Sequence, residues 1–179
     1  MRLAALALSA LIVLSGAAMA ETVAEPDGYH GEPYRSPVPA TLSGATVVDL
    51  AATDALVQHG AVLIDALPRV KRPDNLPAGT IWRGAPHDTI PGAVWLPGTG
   101  YQALAAQDEA AFADALAMLS GRDKTKPLVF FCKRDCWMSW NAAKRAVGWG
   151  YSAVAWFPGG VDDWAEAGRE LEPAKAFAP

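Results

Sequence analysis

Two short stretches, Ala61-Val62-Leu63-Ile64 and Leu128-Val129-Phe130-Phe131, are apolar without interruption. A strand with one wet face alternates apolar and polar side chains, so a run of this kind predicts a strand buried on both faces, as in a parallel sheet covered by helices. The first run leads into Asp65 and the second into Cys132. Three further strand candidates, Thr46 to Val48, Ala93 to Leu96 and Ala153 to Phe157, alternate along the chain with helical patterns. Leu50 to Gln58 is closed by Gly60, and Phe112, Leu116 and Leu119 recur at helical spacing before Gly121. Trp137 to Val147 reads as a third helix, and Val161 to Ala167, ended by Gly168, as a fourth. This alternation predicts an α/β fold with a central, mostly parallel sheet and helices on both faces. Ligands of such sheets collect beyond the carboxyl ends of the strands, and the segment from Cys132 to Trp137 follows one of those ends.

The flanks read differently. Arg2, the apolar stretch Leu3 to Leu14 and Ala18-Met19-Ala20 before Glu21 have the charge, core and cleavage pattern of a secretory signal, expected over residues 1–20. The apolar stretch is short for a membrane span, so none is expected once the signal is removed. In a Gram-negative cell the destination would be the periplasm, where thiols are kept oxidised. Residues 21–44 hold Pro26, Pro33, Pro37, Pro39, Gly28 and Gly31 without periodicity and read as an extended N-terminal arm. The domain itself is expected over residues 45–172, with 173–179 as a C-terminal tail. Inside it, Pro68, Pro73, Pro77, Pro86 and Pro91 punctuate Arg69, Lys71, Arg72 and Arg83, a long basic loop of the kind that is functional or disordered. The formal net charge is −4, one unit more negative without Arg2, and suggests no nucleic-acid partner.

Cys132 and Cys136 are the only cysteines, in Cys132-Lys133-Arg134-Asp135-Cys136-Trp137. A domain of this length buries enough surface to need no covalent staple, which favours a reactive role. A thiolate at the amino end of a helix is stabilised by unpaired N–H groups and the macrodipole; Lys133 and Arg134 add positive charge, and Asp135 opposes it. Residues four apart in helical geometry have α-carbons about 6 Å apart, within disulfide reach, so a Cys132–Cys136 bond is feasible. Its ring would be too small to remove much unfolded-state entropy, so stabilisation alone is a poor reason for it. His30, His59 and His87 are distant in sequence and complete no zinc site. Covalent haem needs two intervening residues and a following histidine, whereas here there are three and then Trp137. No metal and no cofactor is expected.

In order along the chain, Ile64-Asp65, His87-Asp88-Thr89-Ile90-Pro91-Gly92-Ala93, Phe131-Cys132, Gly150-Tyr151-Ser152-Ala153-Val154 and Pro158-Gly159-Gly160-Val161-Asp162-Asp163-Trp164 resemble the landmarks of a rhodanese-like domain. They span nearly all of residues 45–170. The stretch from Cys132 to Ala146 resembles, more narrowly, the exported proteins called pyrroloquinoline-quinone (PQQ)-dependent catabolism-associated CXXCW motif proteins, although the spacing here is CXXXCW. The resemblance implies a sulfurtransferase-like site. Cys132 would be the nucleophile and carry a persulfide, with Cys136 as a possible resolving thiol. The loop of Lys133, Arg134, Asp135 and Trp137 would bind substrate, its N–H groups pointing at the sulfur. The implied partner is a small sulfur or thiol compound, or a periplasmic protein of a PQQ-dependent oxidation system.

Sulfur-transferring members close this loop on a basic or hydroxylated side chain. Trp137 stands there instead, and an indole gives an oxyanion no charge-assisted bond, so thiosulfate is expected to be a poor substrate. Met138 stands where related phosphatases carry arginine, which argues against phosphate ester hydrolysis. Two other classes stay open: a thiol–disulfide redox module using both cysteines, and a noncatalytic accessory protein that docks a partner through Trp137 and Trp140, which share a helical face. Trp149, Trp156 and Trp164 are expected to finish the core. Asp65 is expected to order its loop as a hydrogen-bond acceptor and His87 to pack or cap. The basic loop is expected to be solvated, or else to form an anion-binding collar over the site.

Overall fold

The computed structural model describes residues 23–178; the signal expected over residues 1–20 lies outside them. In chain order the described elements are β1 (Thr46–Val47), α1 (Leu50–Gln58), β2 (Val62–Asp65), β3 (Asp88–Thr89), β4 (Val94–Trp95), α2 (Ala106–Leu119), β5 (Leu128–Phe131), α3 (Trp137–Gly148), β6 (Val154–Phe157), α4 (Gly160–Glu166) and β7 (Glu172–Pro173). Strands β1, β6, β5, β2 and β4 lie side by side in that order, each pair parallel, with β5 in the middle. This is the α/β architecture expected from the apolar runs.

Register explains why those runs do not alternate. Ile64 lies beside Phe130 and Phe130 beside Trp156, while one residue earlier Leu63, Val129 and Ala155 line up on the opposite face. The first set packs against Phe112 and Leu116 of α2 and Trp140 and Ala143 of α3. The second set packs with Leu50 and Leu56 of α1 and with Val161 and Trp164 of α4. With both faces covered, all four residues of β5 are fully buried. Asp49 starts α1 by accepting the Ala52 N–H at 2.8 Å, an N-cap.

A second, two-stranded sheet pairs β3 with β7 in antiparallel register. The residues after β7 continue along the sheet, with Ala174 N donating to His87 O at 2.7 Å and Phe177 N to Trp95 O at 2.9 Å. Two-residue strands carry no periodicity, and the sequence gives no sign of this pairing. Among the described residues no helix is long and apolar enough to cross a membrane.

Candidate active site around the Cys132 loop

Cys132 directly follows β5, so its place at the carboxyl end of the central strand is fixed by the most deeply buried element of the sheet. The start of α4 grips it from the side: Val161 N donates to Cys132 O at 3.0 Å. Gly160 makes that approach with a φ of +53°, and a Cβ there would collide with Cys132 O, so the position requires glycine on both counts. Asp135, with a φ of +53°, turns the chain back, and Cys136 becomes the N-cap residue of α3. The two sulfurs are joined in a disulfide with a Cα–Cα distance of 6.4 Å. Cys132 is 0% exposed and Cys136 2%, packed among Met138, Tyr34, Leu67 and Tyr101.

The expected cradle of loop N–H groups around the sulfur is corrected at two of its members. Arg134 N donates to Asp162 Oδ2 at 2.9 Å, and Trp137 N to Tyr34 O at 2.9 Å. The oxygens near Cys132 Sγ are instead Cys136 O at 3.4 Å, Lys133 O at 3.7 Å and the Ser139 hydroxyl at 3.2 Å. The Arg134 side chain points to α4, where it bonds Glu166 and Asp163, and those two carboxylates hold the guanidinium above its ordinary value. Asp135 is exposed and gives its carbonyl to Ser36 N at 3.1 Å. Lys133 is half-buried and lines a cleft of about 460 Å³ together with Arg69, Trp82, His87 and Trp95. Of the basic loop, Arg69 thus reaches this cleft, over the Trp95 ring at 5.0 Å, whereas Lys71 sits over Tyr101 and Arg72 donates to Pro77 O.

The N-terminal arm covers the site. Arg35 and Cys136 form an antiparallel bridge, closed by the Tyr34 and Ser36 bonds already described. Asn141 of α3 ties the arm to the segment before α2 with its whole amide: Oδ1 accepts His30 N at 2.9 Å, and Nδ2 donates to His30 O at 2.8 Å and to Gly100 O at 2.7 Å. His30 stacks on Trp137 with ring centroids 3.8 Å apart. Trp137 Nε1 donates to Ser36 Oγ and Trp140 Nε1 to Thr41 O, each at 3.0 Å. Both indoles are buried in the main core, at 2% and 0% exposure. That corrects the expectation of a partner-docking face at Trp137 and Trp140: the chain's own arm occupies it.

Asp65 acts as an acceptor, as its strand-end position suggested. Its Oδ1 takes Leu67 N at 2.8 Å, and its Oδ2 takes Thr89 Oγ1 and His87 Nε2, both at 2.6 Å. Among the described residues no cluster of three or more histidine, cysteine or acidic side chains could hold a metal ion. Sequence reasoning gave no role to Ser139, Asn141 or Tyr34. For the first two the available signal was a polar residue amid the apolar neighbours Met138, Trp140, Ala142 and Ala143; for Tyr34 there was none.

A family model described as the Rhodanese-like domain matches residues 51–167. The chain belongs to the rhodanese-like domain family. Among solved structures, this rhodanese-like chain is similar to the 30 kDa polysulfide-sulfur transferase homodimer from Wolinella succinogenes, at 21% identity over 72% of this chain and 79% of that one, with a TM-score of 0.45. It is similar also to a human single-domain sulfurtransferase, at 25% identity over 68% of this chain and 96% of that one, with a TM-score of 0.42. A variant of EanB in complex with hercynine shares 19% identity over 78% of this chain and 34% of that one, with a TM-score of 0.50. That likeness is one of fold. No curated protein matches the chain.

Proposed function

We propose that this rhodanese-like protein handles sulfur or thiol compounds through Cys132 as nucleophile, with Cys136 as the resolving thiol. The observation that carries the reading is the Cys132–Cys136 pair, joined at the carboxyl end of the central strand, where ligands of parallel sheets collect. A persulfide on Cys132 would lie within reach of Cys136. Attack by the Cys136 thiol on the inner sulfur forms the disulfide and expels the outer sulfur as hydrosulfide, which leaves with the bond's electron pair while the Cys136 proton accounts for its hydrogen. A small external thiol then reopens the disulfide. Export to the periplasm and service to a PQQ-dependent alcohol or quinoprotein oxidation system belong to the same proposal, supported by the signal pattern of residues 1–20 and the CXXXCW stretch.

The joined sulfurs also favour a second reading, a thiol–disulfide redox module that uses both cysteines without an extra sulfur atom. In the wild type both readings end in a disulfide that has lost two hydrogens, so intact mass of the Cys136→Ser variant after exposure to an inorganic polysulfide separates the two: a gain of one sulfur on Cys132 marks the persulfide, and no gain marks the redox module. Under the first reading Cys132→Ser abolishes sulfur transfer, and wild-type turnover of thiosulfate with cyanide is negligible. Robust thiosulfate turnover would overturn the expectation drawn from Trp137 and favour an ordinary sulfurtransferase, whereas full function in Cys132→Ser would overturn the nucleophile reading.

A further inference from the structure

We propose that Ser139, oriented by Trp156, is the hydroxyl that stabilises the Cys132 thiolate whenever the disulfide opens. The inference rests on the nucleophile reading above and adds a residue to it. Ser139 is the third residue of α3 and is 1% exposed. Its Oγ lies 3.2 Å from Cys132 Sγ and 3.3 Å from Cys136 O, and accepts the Trp156 indole N–H at 3.1 Å. A hydroxyl has one hydrogen to give, and an indole N–H only donates. Trp156 therefore occupies a lone pair of Oγ and leaves the hydrogen two acceptors in reach, the Cys136 carbonyl and the Cys132 sulfur.

In the disulfide the sulfur is the weaker acceptor and the carbonyl takes the hydrogen. The balance reverses on reduction. When a small thiolate attacks Cys136 Sγ, a new S–S bond forms there, the Cys132–Cys136 bond breaks, and its electron pair departs on Cys132 Sγ. A charged sulfur is the stronger acceptor, so the Ser139 hydrogen turns to it. Cys132 is fully buried, and a buried anion without a donor is costly. Three neighbouring donors are committed elsewhere: Arg134 N to Asp162, Trp137 N to Tyr34 O, and the Arg134 guanidinium to Glu166 and Asp163. Ser139 is the side-chain donor in contact with this sulfur. Trp156, fully buried beside Phe130 in the sheet register, fixes the hydroxyl in place before the sulfur acquires its charge.

The test is the pH dependence of iodoacetamide labelling, resolved by cysteine, in the reduced full chain. Equilibration with dithiothreitol redox buffers accompanies it. Ser139→Ala is expected to raise the apparent pKa of Cys132 by about one unit, equivalent to about a tenfold shift of the redox equilibrium toward disulfide above that pKa. Ser139→Thr, which keeps the hydroxyl, is expected to restore most of both. In the wild type the Trp156 indole N–H resonance is expected to shift as Cys132 titrates, because it donates to the oxygen whose hydrogen is moving. If Ser139→Ala folds and leaves both the Cys132 pKa and the redox equilibrium unchanged, the proposal is overturned. An indole resonance that stays fixed through the titration overturns it even if no Ser139 variant folds. Faster labelling of Cys136 than of Cys132 sinks the nucleophile reading itself, a failure distinct from either of these.

Discussion

Asp65 shows how one carboxyl group ties two loops to the end of a buried strand. Two of its bonds cross from β2 to the His87 and Thr89 segment, and the third starts the turn at Leu67, one of the residues packed against the disulfide. Removing a single buried acceptor leaves three donors unmatched, so Asp65→Ala should destabilise the domain by about 3 kcal/mol or more, whereas Thr89→Val should cost about 1 kcal/mol; urea unfolding measures both. Gly160→Ala should also destabilise, because it adds left-handed strain to a clash with Cys132 O; the expected loss is about 2 kcal/mol by the same measurement. At this scale the sequence reveals residues at element ends. Asp65 and Cys132 each close an apolar run, and their positions follow from that run. Ser139 and Asn141 sit inside a helix, where a polar side chain normally means only solvent, and no local pattern says that each is fully enclosed and bonded. Gly160 looks like an ordinary glycine at a helix start until the Cys132 carbonyl it touches is known.

Helices and strands with strong patterns were legible as elements, whereas the arm was not. Leu50 to Gln58 and Leu128 to Phe131 form the helix and strand that their apolar spacing and flanking residues predict. The arm has neither period, and what holds it are single bonds between residues about a hundred positions apart, such as Trp137 Nε1 to Ser36 Oγ and Trp140 Nε1 to Thr41 O. Glu25 anchors its start. Burial pushes that carboxyl up, but the bonds from Ser43 N and Thr41 Oγ1 and the charge of Lys144 more than offset this and hold it below its ordinary value of 4.5. A carboxyl lowered by folding contributes stability above its unfolded pKa, and that contribution is lost as pH falls through the lowered value. The arm should therefore loosen in acid, below pH 4.5, and remain docked at neutral pH. Indole N–H resonances of Trp137 and Trp140 should report the release, and Glu25→Gln should bring part of it to pH 7. Because the arm also covers both sulfurs, Asn141→Ala should loosen it and speed alkylation of the reduced cysteines several-fold at constant pH. Unchanged labelling in a folded Asn141→Ala protein would mean that reagents enter by another route.

On the scale of the whole molecule, a sheet buried on both faces holds the cysteine loop, and the same burial makes the fold readable from two short apolar runs. Phe130 lies at the centre of the sheet between Ile64 and Trp156, so Phe130→Ala should cost about 3–5 kcal/mol, a large share of the stability of a domain this size, as measured by chemical denaturation. The function was less legible than the fold, because a parallel sheet supports many chemistries and only the site decides among them. The central claim is that Cys132 accepts sulfur and Cys136 removes it from the protein. The most direct measurement is the mass of the Cys136→Ser variant, with its resolving thiol deleted, after exposure to an inorganic polysulfide and mapping of the added sulfur by peptide. The account predicts one additional sulfur atom on Cys132 in the variant, and in the wild type a disulfide with release of hydrosulfide. A Cys136→Ser protein that gains no sulfur, or gains it at any residue other than Cys132, would contradict it.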